Sequence, residues 1–171
     1  GVVAAVLALA SYGFGSYYYS RGQVAERYEA AAKKSFKDSL EYQVWSDTKK
    51  EIKTSEVKYT DTKSTQAYSK SQLMSGERMQ KVGRQFLIFP KWRVVVDPGT
   101  VDLTVNTADL NVTINGVSYA TTDGNNYTAK LNHLYPGTYN FVASGKVNDQ
   151  DITVSSEENV TSKTDVNLSV E

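Results

Sequence analysis

Residues 101–141 read VDLTVNTADLNVTINGVSYATTDGNNYTAKLNHLYPGTYNF, and their alternation decides the fold class. Val101, Leu103 and Val105 fall on one face of an extended segment, and Leu110, Val112 and Ile114 repeat the pattern. A side-chain period of two marks a half-buried strand. Asn115-Gly116 is the strongest short hairpin signal, because a type I′ turn needs positive φ at both central positions. Asp123-Gly124-Asn125 and Tyr135-Pro136-Gly137 supply turn chemistry on either side of the next strand, NYTAKL at 126–131.

Toward the C-terminus the pattern continues through TYNFVAS (138–144), a turn at Val147 to Gln150, DITVS (151–155) and DVNLSV (165–170). Six or seven short strands over residues 93–171 predict a small antiparallel β-sandwich. Exposed tyrosines among Tyr119, Tyr127, Tyr135 and Tyr139 would make a glycan- or peptide-binding face; core or corner packing is the expectation for most of them.

Toward the N-terminus, WRVVV (92–96) reads as a strand closed by the turn Asp97-Pro98-Gly99. Upstream, ERMQKV (77–82) and QFLIF (85–89) predict a hairpin over 77–89, turning at Gly83-Arg84 and stopped by Pro90. Between Ser46 and Ser75 the chain is polar, with no clear period, and reads as a mobile or lightly packed linker. A helix opened by Thr54 or Ser55 competes there with an extended reading of EIKTSEVKYTD (51–61). Val24, Tyr28, Ala31, Ala32, Phe36 and Leu40 carry helical spacing and predict a helix over 23–42.

Residues 1–20, GVVAAVLALASYGFGSYYYS, contain no charge. At a helical rise of about 1.5 Å per residue they reach roughly 30 Å, the depth of a bilayer core. Tyr17, Tyr18 and Tyr19 close the run where amphipathic rings favour the headgroup level, and Arg21 follows. The expectation is a transmembrane helix; a signal-peptide core and a buried helix are the competing readings. The start at Gly1 rather than Met reads as a fragment or a processed chain.

The fold class expected is therefore α+β: transmembrane helix 1–20, a basic helical and mixed region 21–92, and the β-domain 93–171. Charge follows the same division. Arg21 to Arg93 holds 16 basic and 9 acidic side chains, and Val94 to Glu171 holds 3 and 10, so a formal charge of zero conceals +7 beside −7. Lys33, Lys34, Lys37, Lys49 and Lys50 are the candidate polyanion contacts. Arg21, Arg27, Lys33, Lys34 and Lys37 taken alone vote for a cytoplasmic domain, but a more basic flank upstream would outvote them, so orientation stays open.

Catalytic material is thin. There is no cysteine and one histidine, which removes thiol chemistry, disulfides and His- or Cys-clustered metal sites. His133 reads as a turn-flanking residue, and Asn148, Asp149 and Asp151 as a hairpin tip lacking the glycine and glutamate of a calcium loop. Gly13-Phe14-Gly15 has no strand-to-helix context for a nucleotide loop. The N-x-[ST] triplets at Asn111, Asn126, Asn159 and Asn167 matter only in a eukaryotic secretory host. No enzymatic step, no cofactor and no nucleic-acid partner is expected.

KVGRQFLIFPKWRVVVDPGTVDLTVNTADLNVTING (81–116) resembles the junction of teicoplanin-resistance-associated membrane proteins of Gram-positive bacteria and their zinc-ribbon relatives. The resemblance is carried by Lys81 to Arg84, Phe86 to Pro90, Trp92 and Asn115-Gly116. The β-domain from Val101 to Ser144 is also similar to PEGA surface modules, through the Asn-Gly hairpin and the Leu134 to Tyr139 corner, but Thr107-Ala108-Asp109-Leu110 stands where those modules have their defining tetrapeptide. The resemblance implies a cytoplasmic zinc ribbon, absent from these residues, one helix across the cell membrane, and extracellular domains tied to envelope stress and glycopeptide response. The partners expected are the lipid bilayer and a cell-wall polymer or another envelope protein. The function expected is envelope sensing or wall-polymer interaction; a structural stalk, or an accessory module of an envelope enzyme, is the alternative.

Overall fold

The alternation at 99–105 becomes strand β4 (Gly99–Val105), with Val101, Leu103 and Val105 buried and Asp102 and Thr104 turned outward. It is one of ten strands and four α-helices among the described residues, 2–170, of this computed structural model. The chain is α+β and divides into two compact units: residues 1–52 with 67–96, and residues 53–66 with 97–171.

The second unit holds β4, β5 (Asn111–Ile114), β6 (Val117–Thr121), β7 (Tyr127–Leu134), β8 (Gly137–Val147), β9 (Gln150–Val160) and β10 (Lys163–Leu168). They form two open sheets, ordered β10-β4-β7 and β6-β5-β8-β9. Leu103, Val105, Val166 and Leu168 from the first sheet share one core with Val112, Ile114, Tyr139 and Phe141 from the second. Asn115 and Gly116 take φ of 49° and 80°, and Ile114 pairs with Val117, so the two-residue turn expected there forms. Asn148 and Asp149, at φ of 53° and 65°, make the β8–β9 turn in the same way.

The antiparallel expectation fails at one pair. β10 runs parallel to β4, in register from Lys163 opposite Thr100 to Leu168 opposite Val105. A parallel partner needs a long crossover rather than a hairpin, so no local turn marks it in the sequence.

Segment 46–75 is lightly packed, as expected, with only Ile52, Val57 and Leu73 buried, but part of it is tied into the β-unit. Residues 54–57 form a 3₁₀ turn, opened by the Lys53 N–H donating to the Glu56 carboxylate at 3.0 Å, and Val57 is buried. The Tyr59 ring stands edge-on to Tyr119 at 6.0 Å, and Ser64 Oγ accepts from the Thr138 N–H at 3.0 Å. Hydrogen bonds to β8 replace the missing apolar residues, and segment 53–66 belongs to the β-unit. With this reassignment the first unit carries 13 basic and 7 acidic residues and the second 6 and 12, so the polarity survives as +6 and −6.

The first unit begins with α1 (Val2–Tyr18), exposed everywhere except Gly15. Its 17 residues end two short of the expected boundary, at roughly 25 Å by helical rise. Among the described residues no single helix is long and apolar enough to cross a membrane; α1 and α2 (Arg21–Lys34), bent by 54°, pass together by length and composition. Ser20 makes the bend: extended at ψ 156°, it sends its hydroxyl back to Tyr17 O at 2.6 Å.

The helix expected over 23–42 is broken at Ser35. This residue is extended, its Oγ accepts the Asp38 N–H at 3.1 Å, and it starts α3 (Phe36–Ser39), after which a 3₁₀ turn runs from Leu40 to Tyr42. A serine that caps a new helix competes with continuation of the old one. Val24, Ala25 and Tyr28 of α2 pack on Leu73 of α4 (Lys70–Ser75), on Met79 of β2 (Met79–Gln85) and on Val94 of β3 (Phe89–Val96). The sheet is completed by β1 (Gln43–Trp45), parallel to β3 at Val94 to Val96.

The hairpin forms, but not where its glycine pointed. Gly83, at φ 147°, lies inside β2 at a register shift between Lys81 and Arg84, and the turn is Phe86-Leu87-Ile88. Pro90 does not end a strand; it sits in β3 opposite Arg84, where β1 does not reach and a missing N–H leaves no ladder bond unmade on that side.

Candidate membrane and polyanion interface

The charged face of the first unit is organised around Arg27. Its guanidinium lies 3.8 Å over the Tyr18 ring and donates to Tyr18 O at 2.7 Å, clamping the end of α1 onto α2. Arg21, six residues earlier on α2, donates to Leu73 O and Gly76 O at 2.9 Å each and so satisfies carbonyls at the end of α4. Arg21 also stands 5.7 Å over Trp92, with Lys81 Nζ 5.3 Å from the same ring.

Two clefts meet at Arg27, Glu41 and Tyr42. One, of about 570 Å³, is lined also by Lys34, Lys37 and Asp38. The other, of about 600 Å³, is lined also by Tyr18, Tyr19, Glu51, Gln85, Phe86 and Arg93. Gln85 Oε1 is buried with no hydrogen-bond partner among the described residues. Burial pushes the Tyr42 phenol up to about 12, helped by its hydrogen bond to Glu41. Burial lowers the Arg93 guanidinium, whose Nη1 donates to Trp92 O at 2.8 Å, and the carboxylate of Glu51 opposes that shift.

The expected lysine cluster is therefore only partly assembled. Lys34 and Lys37 share a cleft because α2 and α3 are joined by a single extended residue. Lys33 points to Glu29 at 3.3 Å on another face, Lys49 sits at φ 59° with its Nζ on Gln80 Oε1 at 2.8 Å, and neither Lys49 nor Lys50 lines the cleft. Arg27 joins Lys34 and Lys37 there, and Arg93 faces Arg27 only in the neighbouring cleft, beside Glu41 and Glu51. Arg27 was legible as the position seven residues before Lys34 on one helical face; Arg93 comes from a strand that no local pattern places there.

In the β-unit, Tyr135 and Tyr139 are buried, and Tyr139 Oη donates to Tyr135 O at 2.6 Å, a tyrosine corner. Tyr119 and Tyr127 are partly exposed beside the core. His133 lies in β7 at φ 55°, in a pocket of about 280 Å³ with Tyr59, Tyr119 and Lys130. Among the described residues no three His, Asp or Glu side chains gather as a metal site. No family model, curated protein or solved structure matches this chain.

Proposed function

We propose that this chain is a membrane-anchored, non-enzymatic cell-envelope protein. The charge-free run 1–20, helical over Val2–Tyr18, anchors the chain in the bilayer as a single pass, the basic unit binds anionic phosphate groups at its surface, and the β-unit, read as a β-sandwich, is held on the extracellular side to sense or bind. The observation that carries the reading is α1 itself: it has no charge and is exposed along nearly its whole length, with three tyrosines at the end that meets the arginine-lined clefts. An exposed apolar helix needs an apolar surrounding, and aromatic rings followed by cations match the order of a bilayer interface. The resemblance to teicoplanin-resistance-associated proteins agrees with this arrangement, and lipid headgroups and anionic wall polymer offer the same phosphate chemistry to Arg27, Lys34 and Lys37.

The test has two arms. Alkaline extraction and protease protection of the full chain in membranes read insertion and sidedness; release into the supernatant sinks the anchor. Binding to phosphatidylglycerol vesicles and to teichoic acid, at low and high salt, reads the cleft. Loss of polymer binding in a variant with Arg27, Lys34 and Lys37 replaced by Gln supports wall interaction, whereas loss of vesicle binding alone assigns the cleft to lipid. No binding to either at any salt leaves the chain a structural stalk.

A further inference from the structure

The β2–β3 hairpin ends in three consecutive large apolar side chains that nothing among the described residues covers. Phe86, Leu87 and Ile88 are 75%, 86% and 57% exposed. Phe86 and Leu87 hold positive φ, 52° and 65°, a backbone region that bulky residues seldom adopt. Turns of this shape normally use glycine or asparagine, and strain kept in a functional segment points to a use for the side chains it displays.

The tip is continuous with the apolar helix. Phe89, at the base of the turn, packs 5.7 Å from Tyr12 and 5.4 Å from Tyr19, and Phe86 lies 6.0 Å from Tyr19. The exposed residues thus sit beside the tyrosine end of α1. Arg84 and Lys91 flank the tip, with Lys81 and Arg93 further along the same two strands. Apolar residues at a tip and cations at its stem are the distribution that an anionic bilayer surface attracts.

We propose that Phe86-Leu87-Ile88 is a second membrane-inserting element. It enters the acyl boundary next to α1, while Arg84 and Lys91 meet lipid phosphates. It therefore fixes the angle and height of the basic unit on the bilayer, which a single helix bent at Ser20 does not. This inference rests on α1 being in the membrane.

The absence of cysteine permits single labels without a background variant. Leu87→Cys, Val6→Cys and, as a water-exposed control, Asp149→Cys each carry an environment-sensitive dye in the full chain, reconstituted in phosphatidylcholine–phosphatidylglycerol vesicles with shallow or deep spin-labelled lipid. Insertion of a tip ~5–10 Å past the headgroups predicts about twofold stronger quenching of the position 87 dye by the shallow lipid than by the deep one. The position 6 dye is quenched and the position 149 dye is not. Quenching at 6 without quenching at 87 overturns the insertion of the tip and leaves the anchor standing. No quenching at either position overturns both. Disulfide cross-linking between copies of the Leu87→Cys variant, in place of lipid quenching, overturns the proposal in favour of self-association.

Discussion

Gly15 of α1 is buried against the ring of Phe89 in β3, and a Cβ at position 15 would stand 2.6 Å from Cε2 and 2.7 Å from Cε1. Real Cβ atoms do not approach that closely, so glycine is what allows the hairpin to lie on the helix between Tyr12 and Tyr19. Gly15→Leu drives the ring out of this seat. Overpacking of this kind costs about 1–3 kcal/mol. The expected outcome is a lower urea midpoint in the transition followed by tryptophan fluorescence, since Trp45 and Trp92 both lie in this unit. An unchanged midpoint would show that the ring swings aside freely.

Tyr139 Oη donates to Tyr135 O and lies 3.2 Å from Thr60 Oγ1, which ties segment 53–66 to the β-core. Tyr139→Phe leaves a buried carbonyl without its donor, at a cost of about 1–3 kcal/mol. Thermal unfolding followed by near-ultraviolet dichroism of the tyrosines should show the loss.

The same phenol titrates unusually. Burial pushes Tyr139 up to about 12 against an ordinary value near 10. A raised pKa in the folded state gives stability that is complete below the unfolded value and lost as pH rises through the folded one. The β-unit should therefore weaken between pH ~10 and ~12. In Tyr139→Phe that part of the alkaline loss disappears, and an identical alkaline profile for the two proteins would refute the assignment.

Glu29 acts in the opposite direction. Its carboxylate accepts the Lys70 N–H at the start of α4 and pairs with Lys33, and these two bonds, the backbone one first, hold its pKa below the ordinary carboxylate value. A depressed pKa stabilises above the unfolded value near 4.3 and is lost as pH falls through the folded one. Glu29→Gln should melt earlier than the parent at neutral pH and converge with it in strong acid; a constant difference across that range counts against the bond.

Asn115 has two jobs. Its backbone takes the left-handed turn, while Nδ2 donates to Tyr59 O at 2.8 Å and to Thr138 O at 3.3 Å, and Oδ1 accepts the Asn140 N–H at 2.8 Å. Asn115→Gly retains the first job and deletes the second. It should destabilise the β-unit by about 1–3 kcal/mol although the turn is kept. A neutral result would mean that water replaces the side chain.

Local chemistry was legible where one residue and its near neighbours settle the outcome. Val101, Leu103, Val105, Leu110, Val112 and Ile114 are all buried as their alternation requires, and Asn115-Gly116 turns as its φ preference requires. Gly83 misled because glycine also serves a bulge, and the turn went instead to Phe86 and Leu87, which are poor turn formers. Ser35 ended a helix through a hydrogen bond to Asp38 that competes with an otherwise unbroken apolar period. The two clefts were half visible: Lys34 and Lys37, which share one, lie near one another in sequence, whereas Arg93 comes to line the other with Arg27 through sheet pairing.

The amino-acid sequence by itself determined the α+β class, the charge-free start, the polarity of charge, and the buried faces of β4 and β5, because periodicity, charge and turn preference act within a few residues. Only the tertiary structure decided that β10 lies parallel to β4, that residues 53–66 join the β-unit, and that Phe86 to Ile88 stand beside α1. A period of two says which side chains are buried and is silent on which strand covers them. Pairings across tens of residues are chosen by the fit of whole surfaces, for which no short stretch carries a mark.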